Sequence, residues 1–282
     1  MTKITHISTE GDLDAALDAL TAADPRFHAV LAKGGRPPLR RRADGYAGLA
    51  ATVVSQQLSV ASAAAIWGRI AAAFDPLTPE AIVKARPQKL ARLGLSRPKI
   101  KALKEIARAV IRGEPDLTTL CDLAAEDAHA ALTAVHGIGP WTADIYLLAC
   151  LGHADAWPAG DLALQEAARL AFGLTKRPST KEMLPLAEAW RPHRAVAARV
   201  LWTYYRAVKG REGAPTLPKV QASAPKTAST GRSRTSKTKR AKTKRIKTKP
   251  DKTKPAKTKL TKKLARQHRE KKHAHSTRRP AA

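Results

Sequence analysis

The stretch Leu132-Thr133-Ala134-Val135-His136-Gly137-Ile138-Gly139-Pro140-Trp141-Thr142-Ala143 decides how this chain is read. Apolar residues at helical spacing run into a tight Gly137-Ile138-Gly139 turn. Pro140 then stands where a first-turn proline is tolerated, so a second helix follows. Glycine admits positive φ and lets the backbone approach a ligand closely. The first N–H groups of the second helix have no intrahelical partner and are ready donors for a phosphate oxygen. A Gly-x-Gly turn taken alone is equally an ordinary helix–helix connection, so the flanking sequence must decide.

Outward from this turn the pattern stays helical. Ile100, Leu103, Ile106, Ala107, Val110 and Ile111 recur every three or four residues, which lines them along one helix face before Gly113-Glu114-Pro115 ends the run. Similar segments lie near 12–21, 46–73, 126–134, 140–151, 161–172, 181–190 and 194–209. Short breakers separate segments: Asp75-Pro76, Arg97-Pro98, Gly152-His153 and Arg177-Pro178. No period-two alternation marks a strand. Residues 1–213 are therefore expected to form an all-α body of roughly ten helices.

From about Ala214 the composition changes, and Lys, Thr, Pro, Ser and Ala dominate. Lys-Thr-Lys recurs at 237–239, 242–244, 247–249, 252–254 and 257–259. Such a segment is too polar to bury a core, so 214–282 reads as a disordered basic tail. Of the formal net charge of +29 on 282 residues, positions 219–282 carry +22. The body is only mildly basic. A basic chain with a basic extension favours a polyanionic partner, and a nonspecific DNA tether is the expected role of the tail beside the plainer one of a solvated linker. No apolar run approaches the ~20 residues needed to span a bilayer, and the first residues lack the apolar stretch of a signal peptide. No membrane association is expected.

Downstream of the turn comes Trp157-Pro158-Ala159-Gly160-Asp161-Leu162-Ala163-Leu164, a Pro/Gly loop leading into an apolar helix. Asp161 at its start reads as a helix N-cap. It also reads as an anion placed where the helix dipole favours negative charge.

Taken together, the hairpin stretch, Gly160-Asp161 and the upstream Val53-Val54-Ser55-Gln56-Gln57-Leu58-Ser59 resemble the helix–hairpin–helix/Gly-Pro-Asp superfamily of DNA glycosylases over about residues 40–210. The resemblance implies a two-lobed fold, with a central bundle at about 46–158 and a second lobe from 1–45 plus 159–213. It implies that the hairpin (Gly137, Ile138, Gly139, Trp141 and Thr142) binds a duplex phosphate without reading sequence. A structural Na or K ion would sit on the main-chain carbonyls of Thr133, Val135 and Ile138, and catalysis would need no cofactor. Asp161 becomes the catalytic carboxylate, stabilising an oxocarbenium-like sugar or activating water. Gln57 becomes the wedge that fills the hole left by a flipped base, with Gln56 beside it packing or hydrogen-bonding inside. Either Gln is also a plausible helix-terminal cap. Arg97, Lys99 and Lys101 are further candidates for phosphate contact, each with a solvated helical face as the plainer reading.

Two cysteines, Cys121 and Cys150, cannot supply the four-cysteine iron–sulfur site of some branches, and neither follows Asp161. The family position of the lyase amine, two residues after the last hairpin glycine, holds Trp141, which implies a monofunctional hydrolase that leaves an abasic site. Trp141 and Trp202 are similar to the pocket aromatics of the 3-methyladenine DNA glycosylase II (alkyladenine) branch, although either would also serve as a core residue. An indole face attracts a cationic base such as 3-methyladenine or 7-methylguanine by roughly 0.5–2 kcal/mol. Ile145 and Leu162 stand where other members have pocket tyrosines, so the base pocket is less aromatic. The chain looks like the compact form, without the N-terminal β-rich domain of larger members. The expected partner is double-stranded DNA with alkylated bases, the expected state a monomer, and the expected place the cytoplasmic nucleoid, or the nucleus in a eukaryote. The alternatives are deaminated or etheno purines as substrates, or a noncatalytic DNA-binding nucleoid protein on the same scaffold.

Overall fold

Local signals start most of the helices where they are found. In the computed structural model, which describes residues 5–215, Thr9 and Asp12 close a reciprocal capping box at the head of α1 (Glu10–Ala23). Helix α2 (Arg26–Gly34) follows after a two-residue break. Next come α3 (Gly45–Ser55) and α4 (Val60–Ala73), the latter capped by Ser59. Proline in the first turn opens α5 (Pro79–Lys84), α6 (Pro87–Arg92) and α7 (Arg97–Ile111). Helix α8 (Ala125–Thr133) leads through the Gly137 turn to α9 (Pro140–Tyr146), which continues as a π-helical turn over Leu147–Leu151. Asp161 caps α10 (Leu162–Ala171), Ser179 and Glu182 box the start of α11 (Thr180–Leu186), and α12 (Arg194–Lys209) follows. Among the described residues no strand forms; one isolated antiparallel bridge joins His6 to His153. No helix among them is long and apolar enough to cross a membrane. The predicted tail lies, beyond Pro215, outside the described residues.

Two corrections concern the helices. The single segment expected over 46–73 is two helices, broken at Gln56–Ser59 without a glycine or proline. Helices α2, α5 and α6, of nine, six and six residues, were not expected; they are too short to show a full apolar period.

The helices pack as two lobes. In one, α3 packs on α4, α7 and α9, with α5 and α6 on α7 and α8 on α9. In the other, α12 packs on α1, α2 and α10. Gly34 shows how close that packing is: a Cβ there would lie 2.7 Å from the backbone N of Tyr204, so no larger residue fits. The second lobe is filled by a cluster of edge-to-face rings, Phe27–Trp190 at 5.1 Å and Trp157–Trp190 at 5.4 Å between centroids. The buried Trp190 indole donates to Asp24 Oδ2 at 2.9 Å. The Arg26 guanidinium, and then the Trp190 N–H, hold the Asp24 carboxyl down at about 2. Buried Arg199 on α12 donates to the carbonyls of Leu39 and Leu148, tying this lobe to the end of α9.

Candidate active site

Asp161 is placed by the Pro158-Ala159-Gly160 loop and by the helix that it starts. Its Oδ1 accepts the Leu164 N–H at 2.9 Å, the N-cap contact expected from sequence. The same oxygen accepts the Trp202 indole N–H at 3.2 Å, and Oδ2 accepts the Trp141 indole N–H at 2.9 Å. One side chain thus caps α10 and accepts both indole N–H groups. The carboxylate is 8 % exposed, and among the described residues every hydrogen bond to it comes from a neutral donor. No Lys or Arg forms an ion pair with it among those residues.

Of the four residues expected to line a base pocket, three divide between two concavities. Trp202 and Ile145, both buried, share a narrow cavity of about 30 Å³ with Leu148, Arg199 and Pro38. Trp141 is half-buried and borders a cleft of about 530 Å³ with Gly160, Trp157, Asp144 and Arg194. Leu162 lines neither; it is 62 % exposed on the first turn of α10, beside Asp161. The two indoles therefore meet at the Asp161 carboxylate and not around one cavity.

That cleft holds charged groups which sequence did not single out. Burial pushes the Asp144 carboxyl well above the usual carboxylate range, and the ring of His129 lies 3.7 Å away. On its rim, Arg194 pairs with Asp155 at 2.7 Å and Glu126 at 2.8 Å. Burial alone would raise the Glu126 carboxyl, but the Arg191 and Arg194 guanidinium groups outweigh it and hold it at about 2. Asp144 lies three residues after Trp141 within α9, and that proximity was the one available signal.

The hairpin forms as expected. Gly137 turns at φ +100°, and a Cβ there would lie 2.8 Å from Ala102 Cβ on α7. Gly139 is the N-cap residue of α9, with Pro140 in its first turn. Thr142 is buried at 2 % exposure, and its hydroxyl accepts the Gln56 amide at 2.6 Å.

The same bond fixes the two glutamines. Gln56, half-buried, is held inside by Thr142 and cannot act as a wedge. Gln57 is exposed and sits at φ +54°, a left-handed conformation that costs a non-glycine residue about 1 kcal/mol. Lys99 departs from the phosphate-contact expectation. Its ammonium donates to the carbonyls of Val54 at 2.6 Å and Gln56 at 2.7 Å, at the end of α3. Arg97 and Lys101 remain exposed.

Helix–hairpin–helix, indole-bound carboxylate and two-lobed helical packing together define a class, and comparison with known proteins agrees. Residues 50–192 match the family described as HhH-GPD superfamily base excision DNA repair protein, and the chain belongs to it. The chain is 26 % identical over 203 residues to the alkylbase DNA glycosidase-like protein mag2 of Schizosaccharomyces pombe, covering 70 % of this chain and 95 % of that one. It is 34 % identical over 161 residues to DNA-3-methyladenine glycosylase 1 of the same yeast, covering 56 % of this chain and 71 % of that one. The chain spans about half the length of several other curated relatives it matches. Among solved structures it is similar to the S. pombe 3-methyladenine DNA glycosylase Mag1 in complex with abasic DNA. The TM-score is 0.61 at 30 % identity, over 69 % of this chain and 97 % of that one.

Proposed function

We propose that this protein is a monofunctional DNA glycosylase that hydrolyses the N-glycosidic bond of alkylated purines and leaves an abasic site. The observation that carries the reading is the Asp161 carboxylate, held by two indole N–H groups and a helix N-terminus with no paired cation. As the C1′–N bond breaks, its electron pair leaves with the base and positive charge grows on the sugar. A fixed carboxylate stabilises that charge. Water then bonds to C1′, and Asp161 can accept its proton. A cationic alkylated purine departs as a neutral base and needs little general acid. Trp141 stands where a lyase would carry its amine, so no Schiff base forms by that route.

The hairpin carbonyls fit a monovalent cation. Thr133 ends α8, where last-turn carbonyls lack intrahelical donors, and Val135 O accepts only the Ile138 N–H, at 3.0 Å, among the backbone bonds of the hairpin. With Ile138 O they are neutral oxygens near the negative end of a helix, a donor set suited to Na or K. Such an ion would hold a phosphate oxygen, and no chemical step runs through it. The Lys-Thr-Lys repeats support a nonspecific DNA tether, because each neutralised phosphate releases counterions. A monomer suffices for this work, at the nucleoid of a bacterium or in the nucleus of a eukaryote.

Single-turnover release of 3-methyladenine and 7-methylguanine from methylated duplex DNA tests the reading. The expected result is release by the wild type and a loss of about 10²-fold or more in Asp161→Asn, with DNA binding retained. Binding of DNA without release of either base by the wild type would overturn it.

A further inference from the structure

We propose that Lys99 is a positioning residue for base flipping: from α7 it clamps the turn that presents Gln57, by donating to the carbonyls of Val54 and Gln56. The inference rests on the glycosylase reading and on Gln57 as the wedge.

Helix α3 ends at Ser55, and the carbonyls of its last turn need donors from elsewhere. A glycine after the helix commonly supplies the left-handed turn that provides them, and this chain has none there. Gln57 adopts the left-handed φ instead. The backbone bonds that close the turn are long, Gln56 N to Val53 O and Leu58 N to Ser55 O both at 3.3 Å. Against these, the two ammonium bonds of 2.6 and 2.7 Å are short and charge-assisted. They come from a residue 43 to 45 positions away, so the turn is pinned by tertiary structure. Burial lowers the Lys99 pKa from its ordinary value. On the other side, Gln56 Nε2 is held by Thr142 on α9. The turn is therefore gripped from α7 and from α9, while the Gln57 side chain is exposed. Two of the three ammonium N–H groups are spent on carbonyls, which leaves Lys99 poorly placed to serve as a free phosphate contact.

A double-mutant cycle between Lys99→Met and Gln57→Ala tests this, read by stopped-flow fluorescence of a duplex carrying 2-aminopurine beside an abasic-site analogue or lesion. Misplacing a reacting group slightly is worth factors of about 10 to 100. Lys99→Met is expected to slow flipping by about 10-fold when Gln57 is present and by less than about twofold in Gln57→Ala, because both act through one element. The salt dependence of binding to undamaged DNA should not change. Equal slowing in both backgrounds would overturn the proposal, since Lys99 would then act on the fold at large. So would unchanged flipping with a salt slope smaller by about 0.9, the signature of one lost phosphate contact. Should Lys99→Met not fold, Lys99→Leu, which also removes the donor, carries the same cycle. Flipping is read separately from base release. A wild type that flips and releases nothing overturns the glycosylase reading alone; a wild type that does not flip overturns both.

Discussion

The Trp202 indole nitrogen lies 3.2 Å from Asp161 Oδ1, the oxygen that also caps α10 through Leu164 N–H. Among the described residues Oδ2 has a single donor, Trp141. The two indoles are thus unequal. Replacing Trp141 with Phe keeps an aromatic face and removes the donor that fixes Oδ2, whereas Trp202→Phe leaves Leu164 on Oδ1. A hydrogen bond to a charged group is worth about 1.5–3 kcal/mol. Single-turnover base release should fall by roughly 10- to 100-fold in Trp141→Phe and by less in Trp202→Phe. The reverse order would show that Trp202 matters chiefly as a wall against the base.

Asp144 makes a prediction of opposite sign to most buried-residue substitutions. Its folded pKa is raised by burial above the ordinary 3.8. The folded state then binds this proton more tightly than the unfolded chain. Stability is fully present below about 3.8 and is lost as pH rises through the folded pKa. Asn does not titrate, so Asp144→Asn should raise the Tm at pH 8, with the gain shrinking as pH falls toward 4. Thermal unfolding at several pH values checks this, and a lower Tm at pH 8 would show that the contact with His129 outweighs burial.

For Asp24 the shift runs downward, from 3.8 to about 2, through Arg26 and then Trp190. A depressed carboxyl contributes stability above its unfolded pKa and loses it as pH falls through the folded one. The window is therefore pH 4 to about 2. Asp24→Asn, which keeps an acceptor for the indole, should cost roughly 2 kcal/mol in urea unfolding at pH 7 and flatten the acid limb.

Removing residues 219–282 deletes a net charge of +22. Nonspecific DNA binding should weaken, and its dependence on salt should become shallower. Excision at saturating enzyme should be unchanged. If truncation abolished single-turnover excision, the tail would be part of the cleft and not a tether.

What could be read in the sequence was whatever is carried locally. Asp161 as an N-cap, the Gly137 turn, Pro140 in the first turn and the apolar face of α7 all follow from residues within one or two turns of each other. The break between α3 and α4 was hidden because no glycine or proline marks it, and the Lys99 ammonium that meets its carbonyls lies 43 to 45 positions away. The Gln56–Thr142 bond was hidden for a similar reason: the two residues are 86 positions apart. The pairing of both indoles with Asp161 spans 20 and 41 residues, and no periodicity encodes it. Leu162 was named because other members carry a pocket tyrosine at its place, yet here it stands exposed on the first turn of α10.

The Gln56–Thr142 bond has a consequence for how a duplex would be measured. It joins the turn that bears Gln57 to the helix that begins at the hairpin. If both bear on one duplex, the number of nucleotides between the gripped phosphate and the opened gap is set by the protein. The pair then acts as a caliper of fixed jaw, and a lesion is met at one register along the strand or not at all.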